Sequence, residues 1–293
     1  MGKIIRNGIE FSGTRDTANN INYDGTLSGL NANTVQEAID EVNNKLNNSG
    51  SDLSILQWYI DNGWLPAIPA EGEVPVNLED CSWNMIQQLV AADTFKNYYK
   101  VGDTKSITLS SGEVVYMQVA SINNGEGDAG AWYPKGTVDF ISKDCLQTKY
   151  LMNGNAWNDC ELRKTLNDTI INNLPVDLKD TIVEKTHNYY IGANSHVDYS
   201  DKLWLPTVYE LTGTNSNIGN EKVNCNIMYS IFSDDSSRIK CLGNNGTTNH
   251  WYTSSLYINP STNIKYFIFI NTNGAQTWNT ETSRGVPLCF RVG

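Results

Sequence analysis

The stretch WNDCELRKTLNDTIINNLP, residues 157–175, predicts a helix that begins at about Asp159. Its apolar residues recur at steps of four, which places their side chains on one helix face. They are Leu162, Leu166 and Ile170. Pro175 cannot continue a helix, because it lacks the N–H group and its ring clashes with the preceding turn, so we expect the helix to end before it.

A second helix is predicted upstream of this stretch. Ser82 is a favourable N-cap, because its hydroxyl can accept a hydrogen bond from the first turn. The apolar face that follows comprises Trp83, Ile86, Leu89 and Val90. Next, Ile107 and Leu109, a turn at residues 110–112 and the β-rich run 114–119 predict a hairpin.

The C-terminal part predicts short strands between loops rich in Asn, Gly, Ser and Thr. The run Tyr266–Ile270 is apolar on both alternations and predicts a central, buried strand. A closing strand is predicted where Val286, Leu288 and Phe290 alternate with other residues. Two helices among many short strands, without strand–helix alternation, predict an α+β fold rather than α/β.

The N-terminal part predicts an arm followed by a helical segment. Thr34 and Glu37 match a capping box, in which each side chain bonds the other's backbone N–H. The apolar residues behind it keep heptad spacing. They are Val35, Ile39, Val42 and Leu46, with Leu53, Leu56 and Ile60 in the same register. We therefore expect residues 1–62 to attach and oligomerise the protein, with a trimer favoured, and residues 63–293 to form the ligand-binding domain.

The segment YDGTLSGLNANTVQEAIDEV, residues 23–42, resembles an element that recurs in bacteriophage tail-fibre and other virion proteins. In those proteins it precedes the tip that faces the host. The resemblance implies a virion (phage tail) location and contacts with other tail proteins through the N-terminal segment.

Residues 77–293 carry a second resemblance. The pieces that carry it include residues 157–167, 201–207, 251–255 and 285–292. Together they resemble a domain of unknown function that is common in bacterial and prophage proteins and is similar to the C-type-lectin-like fold. That fold includes variable proteins diversified by retroelements. The chain departs from the pattern at Tyr252 and Ser254, where a second Trp and an Arg are common, and at residues 288–289.

Composition and charge exclude several classes of protein. With 21 Lys and Arg against 32 Asp and Glu, the net charge is −11, which disfavours nucleic acid and anionic membranes as partners. No segment has the roughly 18 consecutive apolar residues of a membrane helix. Residues 1–8 lack the apolar core of a secretory signal, so we expect synthesis in the bacterial cytoplasm without a signal peptide. The six cysteines form no CxxC pair; buried thiols and one or two disulfides both remain open.

Catalytic and metal-binding signals are weak. The three histidines lie in polar stretches, and no nucleophile elbow, P-loop or HExxH motif occurs. Four acidic residues could ligate calcium but lack EF-hand spacing. They are Asp198, Asp201, Glu210 and Asp234. We therefore expect no enzyme activity, no metal and no cofactor.

The segment 243–284 predicts a binding surface. Asn, Thr, Ser and Tyr supply 23 of its 42 residues, and amides and hydroxyls mixed with aromatic rings make adaptable contacts. Adenine-directed mutation of AAY codons, the mark of a retroelement-diversified protein, also produces these four residue types. An AT-rich genome would give an Asn-rich chain of the same composition. The candidate ligand-binding residues are Asn244, Asn245, Asn249, His250, Tyr252, Tyr257, Asn259, Thr262, Asn271, Asn273, Thr277, Asn279 and Thr280.

These observations predict a phage or prophage tail-fibre tip that binds a host-cell protein or glycan through a variable loop surface of a C-type-lectin-like domain. Copies joined by the N-terminal segment would gain avidity. One alternative is a bacterial surface or secreted binding protein of the same fold. Another is a hydrolase of glycans or cell wall at a fibre tip.

Overall fold

Two units make up the chain, Met1–Ala70 and Glu71–Gly293. The structure is a computed structural model. It describes residues 4–6, 9–11, 33–34, 37–38, 41, 74–192, 195–214, 226–279 and 282–293.

The described part of the first unit contains a short hairpin and the start of a helix. Strands β1 (Ile4–Arg6) and β2 (Ile9–Phe11) pair antiparallel. The predicted capping box is confirmed: Glu37 N donates to Thr34 Oγ1 at 3.2 Å, and Thr34 N donates to Glu37 Oε2 at 3.2 Å. The apolar heptad residues lie outside the described residues, so self-association through them stays a prediction.

The helix predicted after Ser82 is α1, Trp83–Ala91. Ser82 Oγ accepts a hydrogen bond from Met85 N at 3.2 Å, as an N-cap should. The four predicted face residues are all buried, so this prediction is confirmed. A short helix, α2 (Phe95–Tyr98), follows at once.

The helix predicted in the opening stretch is α3, Glu161–Lys164, which continues as a π-turn over Thr165–Thr169 and a 3₁₀ turn over Ile170–Asn173. Its three predicted apolar residues are buried. Cys160, one residue beyond the expected start, is its N-cap. Two further short helices are α4 (Val176–Lys179) and α5 (Val208–Thr212). Separate 3₁₀ turns cover Leu78–Asp80, Trp157–Asp159 and Ser236–Arg238.

Thirteen strands are described in the second unit. They are β3 Thr104–Thr108, β4 Val114–Asn123, β5 Thr137–Ser142, β6 Ile182–Val183, β7 Lys185–Gly192, β8 Ser195–Asp201, β9 Leu203–Trp204, β10 Lys240–Cys241, β11 Thr248–Asn249, β12 Trp251–Ile258, β13 Lys265–Ile270, β14 Gln276–Thr277 and β15 Cys289–Val292. The largest sheet has the order β3-β4-β5-β15-β6, with β9 also paired to β15. The predicted hairpin is confirmed as β3–β4.

The predicted closing strand, β15, lies inside this sheet. It pairs antiparallel with β5, β6 and β9. All four side chains of β15 are buried, so both faces of the strand are covered by other elements. Phe290 points into an aromatic cluster, with ring centroids 5.6 Å from Trp83 and 5.4 Å from Phe140. This cluster packs α1 onto the centre of the sheet.

A second sheet has the order β12-β13-β14, and β7–β8 and β10–β11 form separate pairs. β13 is the central strand, and its residues Phe267–Ile270 are buried, which confirms that prediction. Short helices beside antiparallel sheets make the fold α+β. In the described ranges, no helix has the length and apolar character needed to cross a membrane.

Candidate functional site

The predicted ligand-binding residues that the structure describes lie on strands β11, β12 and β14 and in the loops before and after them. Those exposed are Asn244, Asn245, Thr262, Asn273 and Asn279. Those half-buried are Asn249, His250, Tyr257, Asn259, Asn271 and Thr277. Thr280 lies outside the described residues, and Tyr252 is buried.

The expectation that Tyr252 is an exposed contact residue is wrong, because its side chain is only 1% exposed. It lies on β12 opposite Phe269 of β13, where its ring is covered. Its hydroxyl donates a hydrogen bond to Thr282 O at 2.7 Å. Tyr252 therefore joins the strand to the C-terminal loop, and changing it would disturb folding as well as any ligand contact.

The side-chain amides of several predicted residues accept hydrogen bonds from the backbone of their own turns. Asn245 Oδ1 accepts from Thr247 N at 2.9 Å, and Asn259 Oδ1 accepts from Ser261 N at 2.9 Å. Asn271 Oδ1 accepts from Asn273 N at 2.8 Å. These are Asx turns, in which the amide replaces a backbone acceptor. Part of the Asn content of this segment therefore serves loop geometry.

The β13–β14 turn is also fixed by Gly274, whose φ is +81°. A Cβ atom at this position would lie 1.5 Å from Asp235 O, so only glycine fits. Arg238 Nε, three residues after Asp235, donates to Gly274 O at 3.0 Å. Asn244 is held at a different place, since its Nδ2 donates to Val114 O on β4 at 2.8 Å.

Three aromatic rings form what we call the aromatic patch: Tyr257, Tyr266 and Trp278. Tyr257 and Tyr266 face each other across β12 and β13, with ring centroids 6.3 Å apart. The Trp278 ring lies 4.3 Å from that of Tyr257. Trp278 is 38% exposed and the two tyrosines are half-buried. The patch thus offers apolar ring surface to solvent beside hydroxyl groups.

A small basic cavity adjoins this patch. It has a volume of about 50 Å³ and is lined by Gly154, Tyr252, Lys265, Tyr266, Phe267, Asn279 and Arg284. Tyr266 belongs to both the cavity and the aromatic patch, so the two features are continuous. Lys265 is exposed, and its Nζ donates to Ile191 O at 2.8 Å.

Arg284 is held in a defined orientation within this cavity. Its Nη1 lies 3.2 Å from His250 Nδ1, and its Nη2 donates to Asn279 Oδ1 at 2.5 Å. The guanidinium carbon lies 3.4 Å from the centre of the Phe269 ring, a cation–π contact. His250 in turn stacks on Phe269, with centroids 5.3 Å apart. Arg284 therefore brings the predicted residues His250, Tyr252 and Asn279 together.

The pKa of His250 is lowered from its ordinary value. Burial is the main cause, and the positive charges of Arg284 and Lys149 add to it. The ring is thus kept neutral beside the guanidinium, so the positive charge of the cavity comes from the Arg and Lys side chains.

A second group of titratable residues is buried inside the domain. We call it the buried ion network: Asp139, Lys185, Glu210 and Arg291, each at most 3% exposed. Lys185 Nζ donates to Asp139 Oδ2 at 3.1 Å and to Glu210 Oε1 at 2.5 Å. Tyr229 OH lies 2.9 Å from Glu210 Oε1, and two positive charges balance two negative ones.

The ionised forms of both carboxylates are stabilised there. Burial alone would raise the pKa of Asp139, but the charges of Arg291 and Lys185 outweigh it and lower the pKa to about 2. Burial alone would also raise the pKa of Glu210. The interactions with Lys185 and His187 outweigh it and lower that pKa well below its ordinary range. Because these groups are buried and paired with one another, we assign them to the core of the domain.

The four residues considered as calcium ligands are engaged elsewhere. Asp201 accepts from Trp157 Nε1 at 2.9 Å and pairs with Arg163 at 2.7 Å, and Glu210 belongs to the buried ion network. Asp198 accepts a hydrogen bond from Asn188, and Asp234 accepts from Ser237 N at 2.9 Å. Within the described residues, no three His, Cys, Asp or Glu side chains come together as a metal site.

The cysteines in the described ranges are free thiols: Cys81, Cys145, Cys160, Cys241 and Cys289. Burial raises the pKa of Cys145 and of Cys160 to about 12. These thiols therefore stay protonated and pack as small apolar groups. Cys225 lies outside the described residues.

Four residues of the site were not among those predicted: Lys265, Tyr266, Trp278 and Arg284. Tyr266 falls in the predicted buried strand, yet it is half-buried near the start of β13, where it pairs with Tyr257. The clustering of Tyr257, Tyr266 and Trp278 within 22 residues was a usable signal. Arg284 gave none, because its contacts depend on the tertiary fold.

The fold and this site define an α+β domain with an aromatic patch and a basic cavity in its C-terminal half. The chain belongs to the family described as "Domain of unknown function (DUF6273)", whose model matches residues 137–292. That match spans β5 to β15, and hence the patch, the cavity and the buried ion network. No curated protein and no solved structure matches the chain.

Proposed function

We propose that this protein is a phage or prophage tail-fibre tip that binds a host-cell surface ligand, without catalysis, through the aromatic patch and the basic cavity. The exposure of Trp278 carries this proposal. Trp83, Trp157, Trp204 and Trp251 are each at most 3% exposed, whereas Trp278 is 38% exposed. A large ring left in solvent beside two tyrosines is the kind of anchor that recognition surfaces use.

The α+β fold supports a C-type-lectin-like domain for residues 63–293, in keeping with the resemblance of residues 77–293. Residues 1–62 attach this domain to other tail proteins and join copies of the chain, preferably three. The confirmed capping box at Thr34 and Glu37 supports a helix at that place. Several copies on one fibre would convert weak single-site binding into firm attachment.

Diversification by a retroelement is part of the same proposal. The aromatic patch and the exposed turn residues of the segment 243–284 include partly exposed side chains, such as Trp278, whose replacement should cost the fold little. A template repeat and a reverse transcriptase gene beside the 3′ end of the coding sequence are the expected signs. Sequencing the flanking DNA checks for both.

The central experiment removes the patch and leaves the rest of the domain. We expect Tyr257→Ala combined with Trp278→Ala to abolish binding of the labelled full chain to cells of its bacterial host. The melting temperature should fall by only a few degrees, because both rings are partly exposed. Tyr116→Ala, which removes a ring that is 44% exposed on β4, is the matched control and should bind normally. Full binding by the double variant would contradict the proposal.

A further inference from the structure

The basic cavity stands out in a chain whose net charge is −11. Arg284 is only 5% exposed, so its guanidinium has lost most of its contact with water. Its orientation is fixed by His250 and Asn279, and Lys265 stands at the exposed side of the same cavity. Two fixed positive charges in a partly enclosed place favour an anionic group, and the fixed orientation lowers the entropy lost on binding.

The volume of the basic cavity limits the size of the anionic group that it can bind. Pockets that enclose whole small molecules have about 300–1,000 Å³. Here the volume is about 50 Å³, which admits a substituent of a few heavy atoms but not a sugar ring or a nucleotide. A planar carboxylate has this size, and arginine binds it through two parallel hydrogen bonds.

The remainder of such a ligand would lie against the aromatic patch. Tyr266 lines the cavity, and its ring stacks with that of Tyr257, which touches Trp278. A pyranose ring suits this surface, because it presents an apolar C–H face to aromatic rings and hydroxyls to neighbouring polar groups such as Asn279 and Thr277.

We infer that the basic cavity binds the carboxylate of an acidic sugar residue while the sugar ring lies on the aromatic patch. This inference rests on the proposed function and names the chemical class of its ligand. Lys265 and Arg284 contact the carboxylate, and Tyr257, Tyr266 and Trp278 contact the ring.

The test uses the full chain and immobilised oligosaccharides that contain uronic or sialic acid, each beside its carboxyl-reduced counterpart. We expect at least one acidic member to bind about tenfold or more tightly than its reduced form, the size of a charge-assisted contact. Added salt should weaken that binding. If no acidic member is preferred over its reduced form, or if an acidic peptide binds more tightly than every acidic sugar, the inference is wrong.

Variants assign the effect to the cavity. Lys265→Gln and Arg284→Lys should each lose most of the preference for the acidic sugar, and Lys100→Gln, which removes another exposed lysine, should not. Circular dichroism and melting temperature show whether each variant is folded. Because Lys265 is exposed, its variant carries the test even if Arg284→Lys is unstable. Wild-type preference in a folded Lys265→Gln variant would overturn the inference.

Host-cell binding separates this inference from the proposed function. If Tyr257→Ala with Trp278→Ala abolishes cell binding while Lys265→Gln and Arg284→Lys leave it intact, the proposed function stands and the acidic-sugar inference is wrong. If none of the variants affects cell binding, both are wrong. Loss with both sets of variants, together with the preference for acidic sugars, supports both.

Discussion

Arg291 and Asp139 are direct partners in the register of β15 and β5, and their side chains form a two-point ion pair. Arg291 Nε lies 2.6 Å from Asp139 Oδ1, and its Nη2 lies 3.0 Å from Oδ2. Both side chains are almost completely buried, and Arg291 Nη1 also donates to Trp132 O at 2.9 Å. The pair therefore fixes the last strand beside β5 through side chains as well as backbone.

Removing one member of this pair should strongly destabilise the domain. We expect Arg291→Ala to lower the free energy of unfolding by about 3–5 kcal/mol, because it leaves a buried carboxylate without its main counter-charge. Urea denaturation at pH 7 measures this. Lys96→Ala, which removes an exposed partner of Asp93, should produce no measurable change. Equal midpoints for the two variants would contradict the role given to Arg291.

Strong acid should destabilise the domain through Asp139. Its pKa is about 2 in the folded protein against an ordinary value of 3.8, so the unfolded chain binds its proton first as the pH falls. The contribution of roughly 2 kcal/mol is present above pH 4 and is lost as the pH falls toward 2. Urea denaturation between pH 5 and pH 2.5 should show this loss, with Glu210 acting in the same direction.

A milder loss of stability should begin below pH 6.5 because of His187. Burial, aided by the charge of Lys185, lowers the pKa of this ring, so the folded state keeps it neutral while the unfolded chain takes up a proton. His187→Phe preserves a ring that can stack on Tyr189 and Trp204. We expect the variant to show a flatter dependence of stability on pH between 7.5 and 5. An unchanged slope would mean that His187 is not the group responsible.

The C-terminal strand should be indispensable. Removal of the last eight residues deletes β15 from the interior of its sheet and the Phe290 ring from contact with Trp83 and Phe140. We expect an unfolded or aggregated product, judged by circular dichroism and the absence of a cooperative melt. Phe290→Ala in the full chain should cost about 3–5 kcal/mol by leaving a cavity. A truncated chain that melts cooperatively would show that the strand is dispensable.

Self-association remains a prediction of the N-terminal heptads. We expect Ile39→Ser combined with Val42→Ser to convert an oligomer, preferably a trimer, into a monomer, because polar residues would interrupt the apolar seam. Light scattering of the full chain measures the mass. Asn43→Ser, outside the seam, is the control. A wild-type chain that is monomeric at micromolar concentration would contradict the prediction.

Periodicity in the sequence was enough to predict the buried faces of α1 and α3, the β3–β4 hairpin and the central position of β13. Each of these features depends on residues that are close together in the sequence. The buried ion network could not be predicted, because Asp139 and Arg291 are 152 residues apart and nothing near either residue distinguishes it from a surface charge. The binding residues were predicted only in part. An Asn-rich composition does not distinguish an Asn whose side chain holds a turn, as that of Asn259 does, from an Asn whose side chain faces solvent.

The position of β15 also constrains the order in which the chain can fold during synthesis. β5 and β6 have no direct pairing with each other, and the strand that lies between them is made last. Until residues 289–292 leave the ribosome, β5 has one edge open and the charge of Asp139 lacks Arg291. We therefore expect the sheet to form completely only once this domain has been translated. At that stage β15 pairs with β5, and segments about 150 residues apart in the sequence come together.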